Sequence, residues 1–403
     1  MTSNERHEAR YQRRRAHRDQ KKQERSDALG GVAGVYTYNA MFKAGRKCCN
    51  GVRWKQSTQN FERHLFSGTA ACRRKILNGT WKPDKYFHFP IRERGKERPI
   101  DAPRVQDRQV HKVLARDVLL PLYAPDMIFN NCASIPGKGF ALSRSLLVAD
   151  LVQHFKRYGR AGTVITTDFK QYFPTAPHAT IYKRHAKLIR DDELRDLADG
   201  IVATVPGGVG LPLGVEPSQA EMVALPSPLD NFIKCQLGIK GAGHYMDDYY
   251  ILVPPDRDPV QILALIIEKA EALGLHISIA KTHITPLTKP FKFCKAKYTL
   301  TETGRVIVNG NRDSAARARR KFKALKEKYD AGEITLKDVI AEVQSNFAYF
   351  ESYDDHGRIL KLARLLHALF GLTLDDVRPK RKKTKQETDP CVLSYIGDFE
   401  PWE

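Results

Sequence analysis

The sequence predicts an α+β fold in which short antiparallel strands carry acidic residues and helices supply most of the remainder. Three observations predict it. The run Y-M-D-D-Y-Y-I-L-V at 245–253 sets an acidic pair among strand-forming residues and reads as the tip of a β-hairpin. The run G-T-V-I-T-T-D at 162–168 is a short β-rich stretch that ends on a carboxylate. The stretches 335–351 and 357–370 are amphipathic at helical spacing, and S-A-A-R-A-R-R-K-F-K-A-L-K-E-K-Y at 314–329 begins a strongly basic helix.

The hairpin tip places Asp247 beside Asp248 with no countercharge in the local sequence. Like charges so close repel, and a cation between them removes the cost. Hard divalent ions take oxygen ligands, and Mg²⁺ in particular takes one or two carboxylates plus substrate phosphates. An isolated Asp-Asp is as well explained as a solvated turn. The second strand-end carboxylate, Asp168, favours chemistry. Three carboxylates so arranged suit two-metal phosphoryl transfer, in which one ion activates an attacking 3′-hydroxyl and the other steadies the leaving pyrophosphate. Between them V-G-L-P-L-G-V-E-P-S-Q at 209–219 reads as a Gly/Pro-punctuated loop before an apolar, helix-like stretch.

The order Asp168, then the 214–219 loop, then Tyr245-Met246-Asp247-Asp248 resembles motifs A, B and C of reverse transcriptases, and the chain is similar to prokaryotic reverse transcriptases of the retroelement type. The resemblance implies a right-hand polymerase with fingers, a palm of antiparallel sheet plus helices, and a helical thumb. It divides the chain into a basic N-terminal arm (1–28), an N-terminal region with fingers (29–160), a palm (161–300), a thumb (301–375) and a charged tail (376–403). The implied activity is RNA-directed DNA polymerisation with two Mg²⁺ ions, Mn²⁺ able to substitute. Asp168, Asp247 and Asp248 would hold the metals, with the backbone carbonyl of Phe169 as a further ligand.

Other segments extend the resemblance. F-H-F-P-I-R-E-R-G-K-E-R-P-I-D-A-P at 87–103 reads as a basic hairpin with Gly95 at its tip, and places Lys96 and Arg98 on the incoming triphosphate. D-R-Q-V-H-K-V-L at 107–114 is similar to the helix that follows. Phe173 falls where the family has an aromatic steric gate against a ribose 2′-hydroxyl, although core packing alone also accounts for it. Leu213, Gly214, Ser218 and Gln219 form the nucleotide-side loop. Lys281, in G-L-H-I-S-I-A-K, takes the position of the motif D lysine that protonates pyrophosphate. Tyr245 and Met246 would pack near the primer terminus. F-K-F-C-K-A-K-Y at 291–298 stands where the primer grip belongs but lacks its usual F-L-G pattern.

Composition agrees with a polyanionic partner. The chain has 67 Lys and Arg against 46 Asp and Glu, a formal net charge of +21. The excess is concentrated in 1–25, in 312–328 and in R-P-K-R-K-K-T-K at 378–385. Arg317, Arg319, Arg320, Lys321 and Lys323 are the expected duplex contacts of the thumb. The seven scattered cysteines lack C-x-x-C spacing and suggest neither zinc nor a full disulfide framework. No apolar run approaches a membrane span and the Arg-rich N-terminus has no apolar core, so a cytoplasmic protein with no membrane partner is expected. The arm at 1–28 has helix-favouring composition but almost no apolar stripe. A solvated arm and an RNA-binding helix are both open there.

The motif B pattern L-G-x-x-x-S-Q resembles the reverse transcriptases of diversity-generating retroelements. Their partners would be a template RNA, a DNA or RNA primer, dNTPs, a structured noncoding RNA and a small basic accessory protein, and their copying is error-prone. A defence-associated, abortive-infection-like reverse transcriptase is the alternative. A non-catalytic RNA-binding scaffold is the third reading.

Overall fold

The computed structural model describes residues 2–93 and 95–378, and only the backbone of Glu93 and Lys96. It is a mixture of helices and small antiparallel sheets. Two compact units emerge, Met1–Cys294 with Thr299–Val306, and Lys295–Tyr298 with Ile307–Glu403.

In the first unit, strands β1 (Phe87–Glu93) and β2 (Lys96–Ala102) form the basic hairpin, in register from Phe87 opposite Ala102 to Glu93 opposite Lys96. A four-stranded sheet follows, built from β3 (Thr163–Thr167), β4 (Ala242–Tyr245), β5 (Asp248–Val253) and β6 (His283–Pro286) in the order β4-β5-β3-β6. Every pairing in it is antiparallel. The unbroken apolar run of β5 has a physical cause, since a strand covered on both faces does not alternate. Ile251 and Val253 pack with Ile262, Ile266 and Ala270 of the helix Pro259–Glu271. On the other face, the Tyr250 hydroxyl donates to Asp150 Oδ2 at 2.8 Å.

The helix Val105–Val113 runs on through a π-helical turn, Leu114–Leu119, and packs in a second core with Tyr36, Met41 and Leu194. Beside that core lies a buried polar chain. His185 Nδ1 is 2.5 Å from Asp199 Oδ1 and its Nε2 is 2.9 Å from Glu221 Oε1, to which the Tyr123 hydroxyl also donates at 2.7 Å. The His185 side chain is fully buried. Burial opposes its charge, but Glu221 and Asp199 outweigh burial and hold its pKa at about 9.

The arm is not an unstructured segment. It forms a 25-residue helix, Ser3–Asp27, opened by a capping box between Thr2 and Glu5. Its last turns are fastened by Lys22 to Asp126 at 2.9 Å, by Asp27 to Arg190 at 3.1 Å and by Ser26 Oγ, which accepts from the Arg190 N–H at 2.9 Å.

In the second unit, helices Arg312–Asp330, Leu336–Glu351 and His356–Phe370 enclose Phe322, Val343, Phe347, Leu362 and Leu366. Asn311 caps the first helix and Thr335 with Asp338 boxes the second. Arg317, Arg319, Arg320 and Lys323 are exposed. Lys321 is not part of that free set: its Nζ pairs with the Glu342 carboxylate at 2.6 Å. Residues 376–378 depart from the tail reading too. The helix Leu374–Val377 ends there with Val377 buried. The remainder of the tail, with the third basic cluster from residue 379 on, lies outside the described residues.

Candidate functional site

The site grows from two strand ends. Tyr245 pairs with Asp248, so Met246 and Asp247 form a two-residue turn between β4 and β5. Met246 sits at φ 58°, a left-handed conformation that non-glycine residues rarely adopt. The turn is held from beneath: His244 Nδ1 is 3.0 Å from the Met246 carbonyl and Nε2 is 3.1 Å from Asp230 Oδ2, while the Tyr249 hydroxyl donates to Asp230 Oδ1 at 2.7 Å. The His244 ring stacks on Tyr249 at 4.5 Å. Asp230 had no visible signal in the sequence, being one of several polar residues, with Ser227, Asn231 and Lys234, in a mixed helical stretch.

Register delivers the third carboxylate. Thr167 lies opposite Tyr249, so continuing the ladder by one residue places Asp168 against Asp248. Electrostatics agrees. Burial raises the pKa of Asp248 to about 6, with Asp247 and then Asp168 adding to it, while a Cys294 hydrogen bond and Lys281 oppose. Asp247 is raised for the same reasons, burial first and Asp168 second, with Lys281 and Arg98 in opposition. Asp168 Oδ2 accepts from Lys281 Nζ at 2.7 Å, and its Oδ1 is buried without a hydrogen-bond partner. Among the described residues, no three His, Cys, Asp or Glu side chains converge as a metal site. The donor set is nevertheless hard, acceptor-only and short of positive charge, and the orphaned Asp168 oxygen is of the kind a divalent ion satisfies. The hydrogen bonds flanking Phe169 use the Lys170 N–H and the Asp168 carbonyl, leaving the Phe169 carbonyl outside that pair.

The remaining expected residues gather unevenly. Arg98 of β2 lies close enough to act on Asp247, whereas the Lys96 side chain lies outside the described residues. Asp101 ties the hairpin base to the Leu213-Gly214 loop: its N–H donates to the Leu213 carbonyl at 2.8 Å and its carboxylate accepts from the Leu213 N–H at 3.2 Å. Phe173 is half-buried against the sheet core, edge-on to Tyr172. Tyr245 meets Phe140 edge-on at 5.9 Å.

Ser218 and Gln219 correct the sequence reading, since they lie in the first turns of the helix Glu216–Ala224 and not in a loop. Pro217 near the helix start and Glu216 in its first turn favour that start, and Ser218 is only 1% exposed. Gly214 does belong to the loop, at φ 114°, and a Cβ there would stand 3.1 Å from the Asp101 carbonyl oxygen. Gly214→Ala is therefore expected to destabilise the first unit by more than about 1 kcal/mol, read as a lower urea midpoint. An unchanged midpoint would show that the loop relaxes freely.

No protein-family profile matches the chain, and no curated protein matches it. Among solved structures, telomerase from Candida albicans in complex with the TWJ fragment of telomeric RNA is similar at TM-score 0.46 and 10% identity over 73% of this chain. The chain spans 61% of that protein's chain. A likeness so distant does not bear on the site's chemistry. Among the described residues, no helix is long and apolar enough to cross a membrane.

Proposed function

We propose that the chain is an RNA-directed DNA polymerase of a bacterial or phage retroelement, a cytoplasmic reverse transcriptase with a right-hand arrangement of fingers, palm and thumb. The observation that carries this reading is that Asp168, Asp247 and Asp248 stand at adjoining strand ends, where Asp168 opposes the ionisation of Asp247 and both oppose that of Asp248. Asp168, Asp247, Asp248 and the Phe169 carbonyl would hold Mg²⁺, which when bound supplies charge neutralisation and activates the primer hydroxyl. Arg98, with Lys96, would orient the triphosphate. Lys281, which donates to Asp168, would move a proton to pyrophosphate. The exposed Arg317, Arg319, Arg320 and Lys323 fit the backbone of a template–primer duplex.

Within the class, Leu213 and the Ser218-Gln219 pair support the diversity-generating type over the defence-associated one. Its partners would be template RNA, primer, dNTPs and a small basic accessory protein. The scaffold reading has two observations in its favour: no three ligating side chains converge among the described residues, and Lys281 already pairs with Asp168. Labelled dNTP incorporation on a primed RNA template with Mg²⁺ decides between them. RNA binding without incorporation favours the scaffold.

Phe173 bears on sugar selection. If its ring walls off the 2′-hydroxyl, Phe173→Ala should raise kcat/KM for rNTPs relative to dNTPs by about 10-fold or more. An unchanged ratio would make Phe173 a core residue only.

A further inference from the structure

The helix Ser3–Asp27 carries nine Lys and Arg, and they are not spread evenly around it. At about 100° per residue, Arg6, Arg10, Arg13, Arg14 and Lys21 fall within an arc of roughly 100°, with Arg18 and Arg25 at its edge. Glu5, Glu8, Asp19 and Asp27 fall on the other side. Of the acids, Glu24 alone sits on the basic arc, and its carboxylate accepts from the Gln20 amide at 2.9 Å.

The attachment of the helix is equally one-sided. Asp19 and Lys22 are half-buried and Ser26 is buried, and these three mark the edge opposite the basic arc. The arc therefore lies opposite the attached edge in the last turns and continues along the exposed turns before them, about 28 Å from Arg6 to Arg25. Arg6, Arg10, Arg14 and Arg18 follow one another at i, i+4, and like charges at that spacing destabilise a helix. No apolar stripe offsets this, since the helix's only apolar side chains are Ala9 and Ala16, two small residues on one side, and Tyr11 on another. A row of repelling cations on an outward helical face gains most from a row of closely spaced anions.

We propose that this face is an RNA-binding surface, docking on a folded RNA through its phosphates. Arginine dominates the arc, and a guanidinium both forks onto phosphate oxygens and stacks on unpaired bases, which folded RNA presents and duplex DNA does not. The surface shares no residue with the three carboxylates, and the inference stands whether or not they are catalytic.

The test uses the full chain with Arg10→Gln, Arg13→Gln and Arg14→Gln together, glutamine being a good helix former. Its control replaces the exposed Arg46, Arg63 and Arg74 by Gln, removing equal charge elsewhere. The probes are a labelled stem-loop RNA with an unpaired loop and a DNA duplex of the same stem sequence, titrated with salt. The arm variant is expected to flatten the slope of log K against log[salt] for the RNA by about 2, each lost phosphate contact being worth about 0.7 to 0.9. Far-UV circular dichroism should be unchanged and the control should flatten the slope less. Equal slopes for arm variant and control would overturn the proposal, as would an equal loss on duplex DNA. Labelled dNTP incorporation by the unaltered chain is measured alongside, so failure of the polymerase reading is recorded separately from failure of the arm to bind RNA.

Discussion

Asp247→Asn and Asp248→Asn are each expected to lower nucleotide incorporation by more than about 10²-fold while making the protein more stable. The two effects share a cause. A carboxyl whose folded pKa stands above its unfolded value binds its proton more tightly in the folded state. The ionised form therefore costs stability, the cost growing from pH 3.8 to about 6 and staying constant above. For Asp248 the cost is at most about 3 kcal/mol, and less after allowance for solvent at a partly exposed group. The amide keeps shape and removes charge. Single-turnover incorporation and urea midpoints at pH 7.5 and 4.5, without divalent ions, check both effects. The stability gain should shrink at the lower pH. Retained incorporation would remove the catalytic assignment, and a less stable variant would remove the electrostatic one.

The second large effect is expected at His185. Its folded pKa, about 9, lies above the ordinary 6.5, so its contribution is complete below pH 6.5 and disappears as pH rises through 9. The contribution is on the order of 3 kcal/mol. Glu221→Leu removes the more deeply buried of its two counterions and leaves Asp199 alone on the imidazolium, which should cost up to about 3 kcal/mol near neutral pH. Denaturation at pH 6, 7.5 and 9 measures both. A flat profile from 6.5 to 9 would show that His185 is neutral in the folded protein.

These two clusters differ in how far they could be read from sequence. The Asp247-Asp248 turn was legible because strand formers on both sides define a tip locally, and Asp168 ends a similar run. The Lys281–Asp168 contact spans 113 positions and follows no local pattern. His185 and Glu221 each look like one polar residue on a mostly apolar helix face, and Asp199 sits beside Asp192, Arg195 and Asp196 as on a solvated one, so only packing reveals them as a chain. The N-terminal helix was half legible: its composition favours a helix, but with no apolar stripe nothing local shows that Lys22, Ser26 and Asp27 fasten it to Asp126 and Arg190. Ser218 and Gln219 read as loop because Gly210, Pro212 and Gly214 dominate the segment, although Pro217 marks a helix start. The Lys321–Glu342 pair needed two helices to fold against each other before it could be seen.

The sheet order β4-β5-β3-β6 also bears on how the chain acquires its site. The acidic turn between β4 and β5 can form from a dozen neighbouring residues. Asp168 joins it only when β3 finds β5, some 80 residues later in the chain. Closing so long a loop is slow, since its entropy is spent before the contacts return it. The repulsion of Asp168 against Asp247 and Asp248 is thus absent from every local fragment and arises only as this long-range pairing closes. A nascent chain meets its most unfavourable electrostatics at the step where enough burial has accumulated to bear it.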